Sequence, residues 1–282
     1  MGCAVLCHDD VLRILPNREL TVHKGNCGKI LLLCGSTGFT GAAALAAMGA
    51  LRCGAGLVFL GVPESIYAIE AVKLTEPVVF PLPDKDGAFS AHGISQILDR
   101  LRDMDAVLIG PGIGRTNDIF AIVKAVLTSF NGPVILDADG INILNGHIDL
   151  LRGRTGPTVI TPHEGEFQRV GGVLTGDRTA DAVSFAEKSN SIVLLKGHGT
   201  VITDGKTTYV NTTGNPGMAV GGCGDVLAGM ITALIGQGIP VLEAAACGAW
   251  LHGAAGDICA GELGQYGMLP TDMLKVLPRL LK

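Results

Sequence analysis

Six short segments concentrate the residues whose types and spacing could do chemistry. The densest runs from Asn211 to Gly229, NTTGNPGMAVGGCGDVLAG. Gly214, Gly217, Gly221, Gly222 and Gly224 precede a long apolar run that starts at Val226. Glycines ahead of a helix let successive main-chain N–H groups point outward together, and the helix dipole adds partial positive charge, which makes an anion hole. Asp225 follows at once, in what would be the first helical turn. Helix capping alone accounts for a carboxylate there. Beside a phosphate-binding nest, however, it also suits a general base that deprotonates a hydroxyl attacking a phosphoryl group, while the anion hole stabilises the group in transit.

The other five segments each follow an apolar run. They are Gly35-Ser36-Thr37-Gly38, Gly110-Pro111-Gly112-Ile113-Gly114, Asp137-Ala138-Asp139, Thr161-Pro162-His163-Glu164-Gly165-Glu166 and Lys196-Gly197-His198-Gly199. Each has a plain structural reading beside the functional one. The first is not a Walker A loop, because no Gly-Lys-Ser/Thr follows, and a tight turn explains it equally well. The second has Gly-x-Gly without the third glycine of a dinucleotide fingerprint. Asp137 and Asp139 suit a helix cap or, as a pair at a strand end, a metal with its waters. His163 suits a satisfied histidine, Glu166 a cap with Thr161 or His163, and His198 an exposed turn residue.

These segments need strands to place them. Residues 29–34, 57–60, 78–80, 106–109, 134–136, 158–160 and 192–195 are short continuous apolar runs, the pattern of strands buried on both faces of a parallel sheet. Helical stretches alternate with them at 42–53, 118–130 and 179–189. The alternation predicts an α/β fold with helices on both faces of a mostly parallel central sheet. In such sheets ligands bind beyond the carboxyl ends of the strands, where all five turns fall. Residues 200–203 and 206–210 around Asp204-Gly205 predict a hairpin with an Asp-Gly turn. Helices follow at about 222–237, 241–260 and 270–281. Residues 1–28 read as an arm or leading helix. No linker or repeat divides the chain, so residues 1–282 are expected to form a single domain.

Composition narrows the function. Glycine takes 41 of 282 positions, about twice the ~7% average share, which asks for phosphate loops, close helix packing or both. Hydrophobic residues make up 48% and charged residues 17%, against intrinsic disorder. A net charge of −5 without a basic run argues against nucleic acid as a partner. The longest uncharged stretch, 226–242, is broken by Gly229, Gly236, Gln237, Gly238 and Pro240, so it predicts a buried helix and no membrane span. The start, MGCAVLCHDD, lacks a signal peptide's basic region, and Leu6 stands where myristoylation needs Ser or Thr. The eight cysteines lack CxxC or zinc spacing and are expected reduced and mostly buried in a cytoplasmic protein.

Gly222-Cys223-Gly224-Asp225 resembles the Gly-x-Gly-Asp signature of the ribokinase-like superfamily. Within it, several long motifs in order resemble the ADP/ATP-dependent NAD(P)H-hydrate dehydratase family. They are Asn215-Pro216-Gly217, Gly221 to Gly229, Thr161 to Glu166, Leu136 to Asp139, Ser36 through Thr40-Gly41-Ala42-Ala43 to Val58, and His23-Lys24-Gly25. The resemblance runs from about residue 15 to the end, and the fused epimerase domain of some members is expected to be absent. It implies a ribokinase-like three-layer sandwich and a repair reaction, the removal of water from hydrated NADH or NADPH driven by ADP or ATP with Mg²⁺. It further implies Asp225 as the base, with the N–H groups around Gly222, Cys223 and Gly224 as the anion hole. Ala42, Gly112, His163 and Asp225 fall where the family contacts the hydrated dinucleotide. Lys196, Gly197, His198, Gly199, Thr200 and Gly224 fall where it contacts the adenine nucleotide, and Asp137, Asn142 and Glu166 in the phosphate and Mg²⁺ region; no metal ligand is firmly assigned. A homotetramer and a separate NAD(P)H-hydrate epimerase are implied partners. Cys223 departs from the Ser or Thr of many relatives, and a thiol there is expected to make the site sensitive to oxidation. The rival readings are a superfamily kinase of a thiazole or pyrimidine alcohol, and a catalytically idle nucleotide-binding protein.

Overall fold

The computed structural model describes residues 3–281, so Met1-Gly2, on which the lipidation question bears, lies outside the described residues. The strands are β1 (Lys29–Leu33), β2 (Leu57–Pro63), β3 (Val78–Leu82), β4 (Asp84–Lys85), β5 (Ala88–Phe89), β6 (Ala106–Ile109), β7 (Val134–Leu136), β8 (Thr158–Ile160), β9 (Ile192–Leu195), β10 (Val201–Thr203) and β11 (Thr208–Val210). Nine of them form one sheet in the order β11-β10-β9-β8-β7-β6-β1-β2-β3, while β4 and β5 pair separately. From β3 across to β9 every pairing is parallel, and β10 and β11 run antiparallel at one edge.

The helices are α1 (His8–Ile14), α2 (Thr40–Arg52), α3 (Glu64–Lys73), α4 (Ile94–Leu101), α5 (Asn117–Ser129), α6 (Asp139–Asn142), α7 (Asp149–Arg152), α8 (Glu164–Arg169), α9 (Arg178–Ser189), α10 (Cys223–Gly236), α11 (Val241–Leu263) and α12 (Pro270–Leu280). Strand residues alternate between two cores, as the period of two requires. Ile30, Leu32, Leu108, Ile135 and Leu194 face α2, α10, α11 and α12. Leu31, Leu33, Ile109, Leu136 and Leu195 face α4, α5 and α9. The predicted three-layer architecture is therefore present. Most of the uncharged stretch 226–242 is the buried helix α10, and its last residues lead into α11; among the described residues no helix is long and apolar enough to cross a membrane.

Small residues bring α2 and α10 into backbone contact. A Cβ on Gly49 would stand 2.5 Å from the Val226 carbonyl oxygen, and one on Gly229 would overlap that of Ala46. The hairpin differs from expectation. Thr203 pairs with Thr208, which leaves a four-residue loop. Asp204 Oδ1 accepts from the Lys206 and Thr207 N–H groups at 2.8 and 2.7 Å, a side-chain turn that replaces the two-residue Asp-Gly form. The leading segment is part helix, and Ala4 pairs with the edge strand at Tyr209.

Candidate active site

The strand order reverses between β1 and β6, and the crevice beyond that switch point is where an open α/β sheet binds ligands. The turns after these two strands are tied together, since Ser36 Oγ donates to the Gly112 carbonyl at 2.7 Å. Gly112 has φ +66, and a Cβ there would stand 3.0 Å from Ala42 Cβ, so Ala42 and Gly112 lie side by side.

A polar cluster forms beyond β7, β8 and β9. Asp137 is 2% exposed and meets Lys196 Nζ at 2.8 Å and Thr161 Oγ1 at 2.6 Å, both on Oδ1. Glu166 Oε2 lies 3.8 Å from the same ammonium. Burial works against charge on Lys196, but Asp137 and Glu166 outweigh it and hold its pKa above the usual value. His163 and Lys196 are main-chain neighbours across the β8 and β9 ends. His163 caps α8, with Nδ1 accepting from Gly165 N–H at 3.0 Å, and Glu166 accepts from His163 N–H at 3.0 Å. Glu166 is thus both the predicted cap and a partner of Lys196. Gly197, His198, Gly199 and Thr200 continue from Lys196 as a turn, with His198 exposed and Thr200 Oγ1 donating to the Gly197 carbonyl at 2.9 Å.

α10 meets this cluster with its N-terminus. Its N-cap, Gly222, has φ +101, and a Cβ there would run into Leu45 at 2.5 Å. A Cβ on Gly224 would stand 3.5 Å from Lys196 Nζ and 3.9 Å from Asp137 Oδ2. This helix end therefore lies beside Lys196 and the second oxygen of Asp137, with the Cys223 N–H also donating to the Val220 carbonyl at 3.4 Å. Burial pushes Asp225 up to about 7; the Asp137 carboxylate adds to the rise and Lys196 opposes it. A carboxyl poised near neutrality suits proton transfer. Behind the helix end His252 is buried, and burial lowers its pKa to about 4, so this wall is neutral.

Two further features of the site bear on these expectations. Asp137 and Asp139 take different partners, and Ala138 between them has φ +49. Asp139 instead accepts from Arg115 Nε at 2.7 Å and Gly114 N–H at 3.1 Å. Asn142 turns with it and is engaged by Arg169 and, at 3.4 Å, Asp139. Cys223 is 6% exposed and burial raises its thiol to about 11, which leaves little thiolate for oxidation at neutral pH. Among the described residues no three metal-ligating side chains cluster. One residue outside the motifs also shapes the site. Arg178 pairs with Glu164 and donates to the Leu195 and Lys196 carbonyls at 3.0 and 3.1 Å, pinning the turn that carries Lys196.

Residues 30–279 match the family model described as NAD(P)H-hydrate dehydratase. The bifunctional NAD(P)H-hydrate repair enzyme of Moorella thermoacetica is 44% identical over 275 residues, 95% of this chain and 52% of that protein. The chain thus spans about half the length of the curated relatives it matches. The Bacillus subtilis ADP/ATP-dependent NAD(P)H-hydrate dehydratase, co-crystallised with ATP and Mg²⁺, superposes with a TM-score of 0.84 at 32% identity, covering 99% of this chain and 98% of that one. A ribokinase-like superfamily protein from Enterococcus faecalis gives a TM-score of 0.87 at 28% identity, covering 98% and 94%. The fold is ribokinase-like.

Proposed function

The chain belongs to the NAD(P)H-hydrate dehydratase family, and from that premise we propose that it removes water from hydrated NADH or NADPH in a reaction driven by ADP or ATP. The observation that carries this reading is a carboxyl with a pKa of about 7, Asp225, in the first turn of a helix whose glycine-rich end faces Lys196.

In the first step Asp225 takes the proton of the hydroxyl on the hydrated nicotinamide ring. That oxygen attacks the terminal phosphorus of the nucleotide, a new O–P bond forms, and the bond to the rest of the nucleotide breaks. The N–H groups of Gly222, Cys223 and Gly224 stabilise charge on the group in transit, and Lys196 adds a full positive charge. In the second step phosphate leaves the ring with the C–O electron pair, and the neighbouring carbon gives its proton to the departing phosphate as the double bond is restored. Hydroxide is a poor leaving group and phosphate a good one, so the kinase-like apparatus serves an elimination. The oxygen of the removed water departs in the phosphate.

Ala42, Gly112 and His163 contact the hydrated dinucleotide in this reading, and Lys196 to Thr200 with Gly224 contact the nucleotide. Mg²⁺ fits as a companion of the nucleotide phosphates, which needs only one or two protein carboxylates. Asp137 Oδ2 would hold it, since Oδ1 is already taken by Thr161 and Lys196. The ion would supply neutralisation of phosphate charge. The full assembly in this reading is a homotetramer of single-domain subunits working alongside an NAD(P)H-hydrate epimerase.

The test incubates the protein with hydrated NADH, Mg²⁺ and either nucleotide and follows the reduced-nicotinamide absorbance band. The band should return in proportion to nucleotide consumed. A stable phosphorylated product without return of the band would make the protein a kinase, and no turnover with either nucleotide would make it an idle binder.

A further inference from the structure

The Gly222–Gly224 end of α10 is reached by a loop, residues 211–222, that crosses α11. This loop lies flush on the helix, since a Cβ on Gly253 would stand 2.6 Å from the Thr213 carbonyl carbon. Three bonds hold its first half: Asn211 Nδ2 donates to the Ala249 carbonyl at 3.3 Å, Thr213 Oγ1 donates to that of Trp250 at 2.9 Å, and the Gly214 N–H donates to Asp257 Oδ2 at 2.9 Å. The other oxygen of Asp257 accepts from Asn215 Nδ2 at 3.0 Å. Asn215 in turn accepts the Gly217 N–H on its Oδ1 at 3.0 Å. The amide of Asn215 is therefore oriented from both ends, and of these bonds from the loop to α11, those nearest the anion hole go to one carboxylate.

We propose that Asp257 is a positioning residue of the site: it clamps Gly214 and Asn215 to α11 and thereby sets where the N–H groups of Gly222 to Gly224 stand. The clamp is built for a carboxylate. Both donors converge on it, and neither of its oxygens is asked to donate. It is a solvent-exposed residue on a helix surface, so replacing it disturbs no core packing. The Gly222–Gly224 amides are argued above to take phosphoryl groups, and the inference rests on that reading. Displacement of such groups by about 1 Å costs up to roughly 100-fold in rate.

The geometry allows a reciprocal exchange. In Asp257→Asn one oxygen still serves the Gly214 N–H, but the new NH₂ faces the NH₂ of Asn215. In Asn215→Asp two carboxylates face each other. In the double variant Asn215→Asp/Asp257→Asn the new amide at 257 donates to the new carboxylate at 215, which still accepts from Gly217, and all three bonds return. ADP affinity by calorimetry, amide exchange over residues 214–224 and kcat/KM in the dehydration assay should be measured for all four proteins. Asp257→Asn should weaken ADP binding about 10-fold, lower kcat/KM by about 10- to 100-fold and speed exchange over 214–224. Asn215→Asp should be worse, and the double variant should recover most of each loss. Wild-type ADP binding and exchange in Asp257→Asn, or a double variant no better than the single ones, would overturn the clamp. Wild-type protein that binds ADP but never restores the nicotinamide band would overturn the proposed reaction and leave the clamp to be judged on binding and exchange.

Discussion

Replacing Asp225 by Asn separates a chemical consequence from a thermodynamic one. The two side chains have nearly the same shape, but the amide exchanges no proton. In the native protein burial first, and the Asp137 carboxylate second, lift the acid from 3.8 to about 7, with Lys196 opposing. The folded chain then binds more protons than the unfolded chain between these two values, so this group lowers stability as pH rises through that interval. At about 1.36 kcal/mol per pH unit the interval is worth about 4 kcal/mol, and solvent access at the site reduces this to about 2–4 kcal/mol. Asp225→Asn removes that liability. Urea unfolding at pH 4 and pH 8 should show the stability of the variant relative to the native protein rising by about 2–4 kcal/mol across the interval. Turnover should fall by about 10²- to 10⁴-fold while ADP still binds, and native kcat should climb with pH through about 7. A stability difference identical at the two pH values would refute a carboxyl held protonated by its surroundings. Undiminished turnover in the variant would refute its role as the base.

Three further substitutions test the frame around it. Gly224→Val places branched carbons in the 3.5 Å gap to Lys196 Nζ, and calorimetry should show ADP affinity down by at least about 10-fold, since the side chain blocks the close approach of a phosphate. Lys196→Met leaves the buried Asp137 without its counter-charge, which should cost about 3 kcal/mol in urea unfolding at pH 7. Gly229→Ala drives a methyl into the Ala46 carbonyl and should lower stability by about 1–3 kcal/mol by the same measurement.

The sheet was legible because strands buried on both faces need no polar alternation, and runs such as Ile30 to Leu33 have no other economical use. The site motifs were legible because they sit at strand ends, where backbone must approach a ligand and glycine is the residue that permits it. Other features depend on contacts that leave no local pattern. Arg178 acts on carbonyls 17 and 18 positions away, and Asp257 on a loop 42 and 43 positions away. Both are ordinary surface charges in the sequence. The separate partners of Asp137 and Asp139, Thr161 and Lys196 for the one and Gly114 and Arg115 for the other, lie 24 or more positions away, and the positive φ of Ala138 between them is one that an alanine does not advertise. The hairpin loop turned on whether Asp204 would bond its own backbone, which composition leaves open.

The abundance of glycine posed a choice between phosphate loops and close helix packing, and α2 shows why both belong to one device. Its first turn sets Ala42 against Gly112 at the switch point. Leu45, almost a turn further on, abuts Gly222 at the tip of α10. Ala46 receives Gly229, and Gly49 rests on Val226. One helix therefore touches the crevice beyond β6 and the anion hole, and its small residues let it do so with the two helix backbones in contact. A transfer between two bound molecules depends on their separation to within about 1 Å. Packed backbones hold such a separation better than long side chains, because interiors are close-packed and yield little. In the proposed reaction packing glycines such as Gly229 act from a distance, and the kcat of Gly229→Ala should fall by more than its loss of folded protein explains.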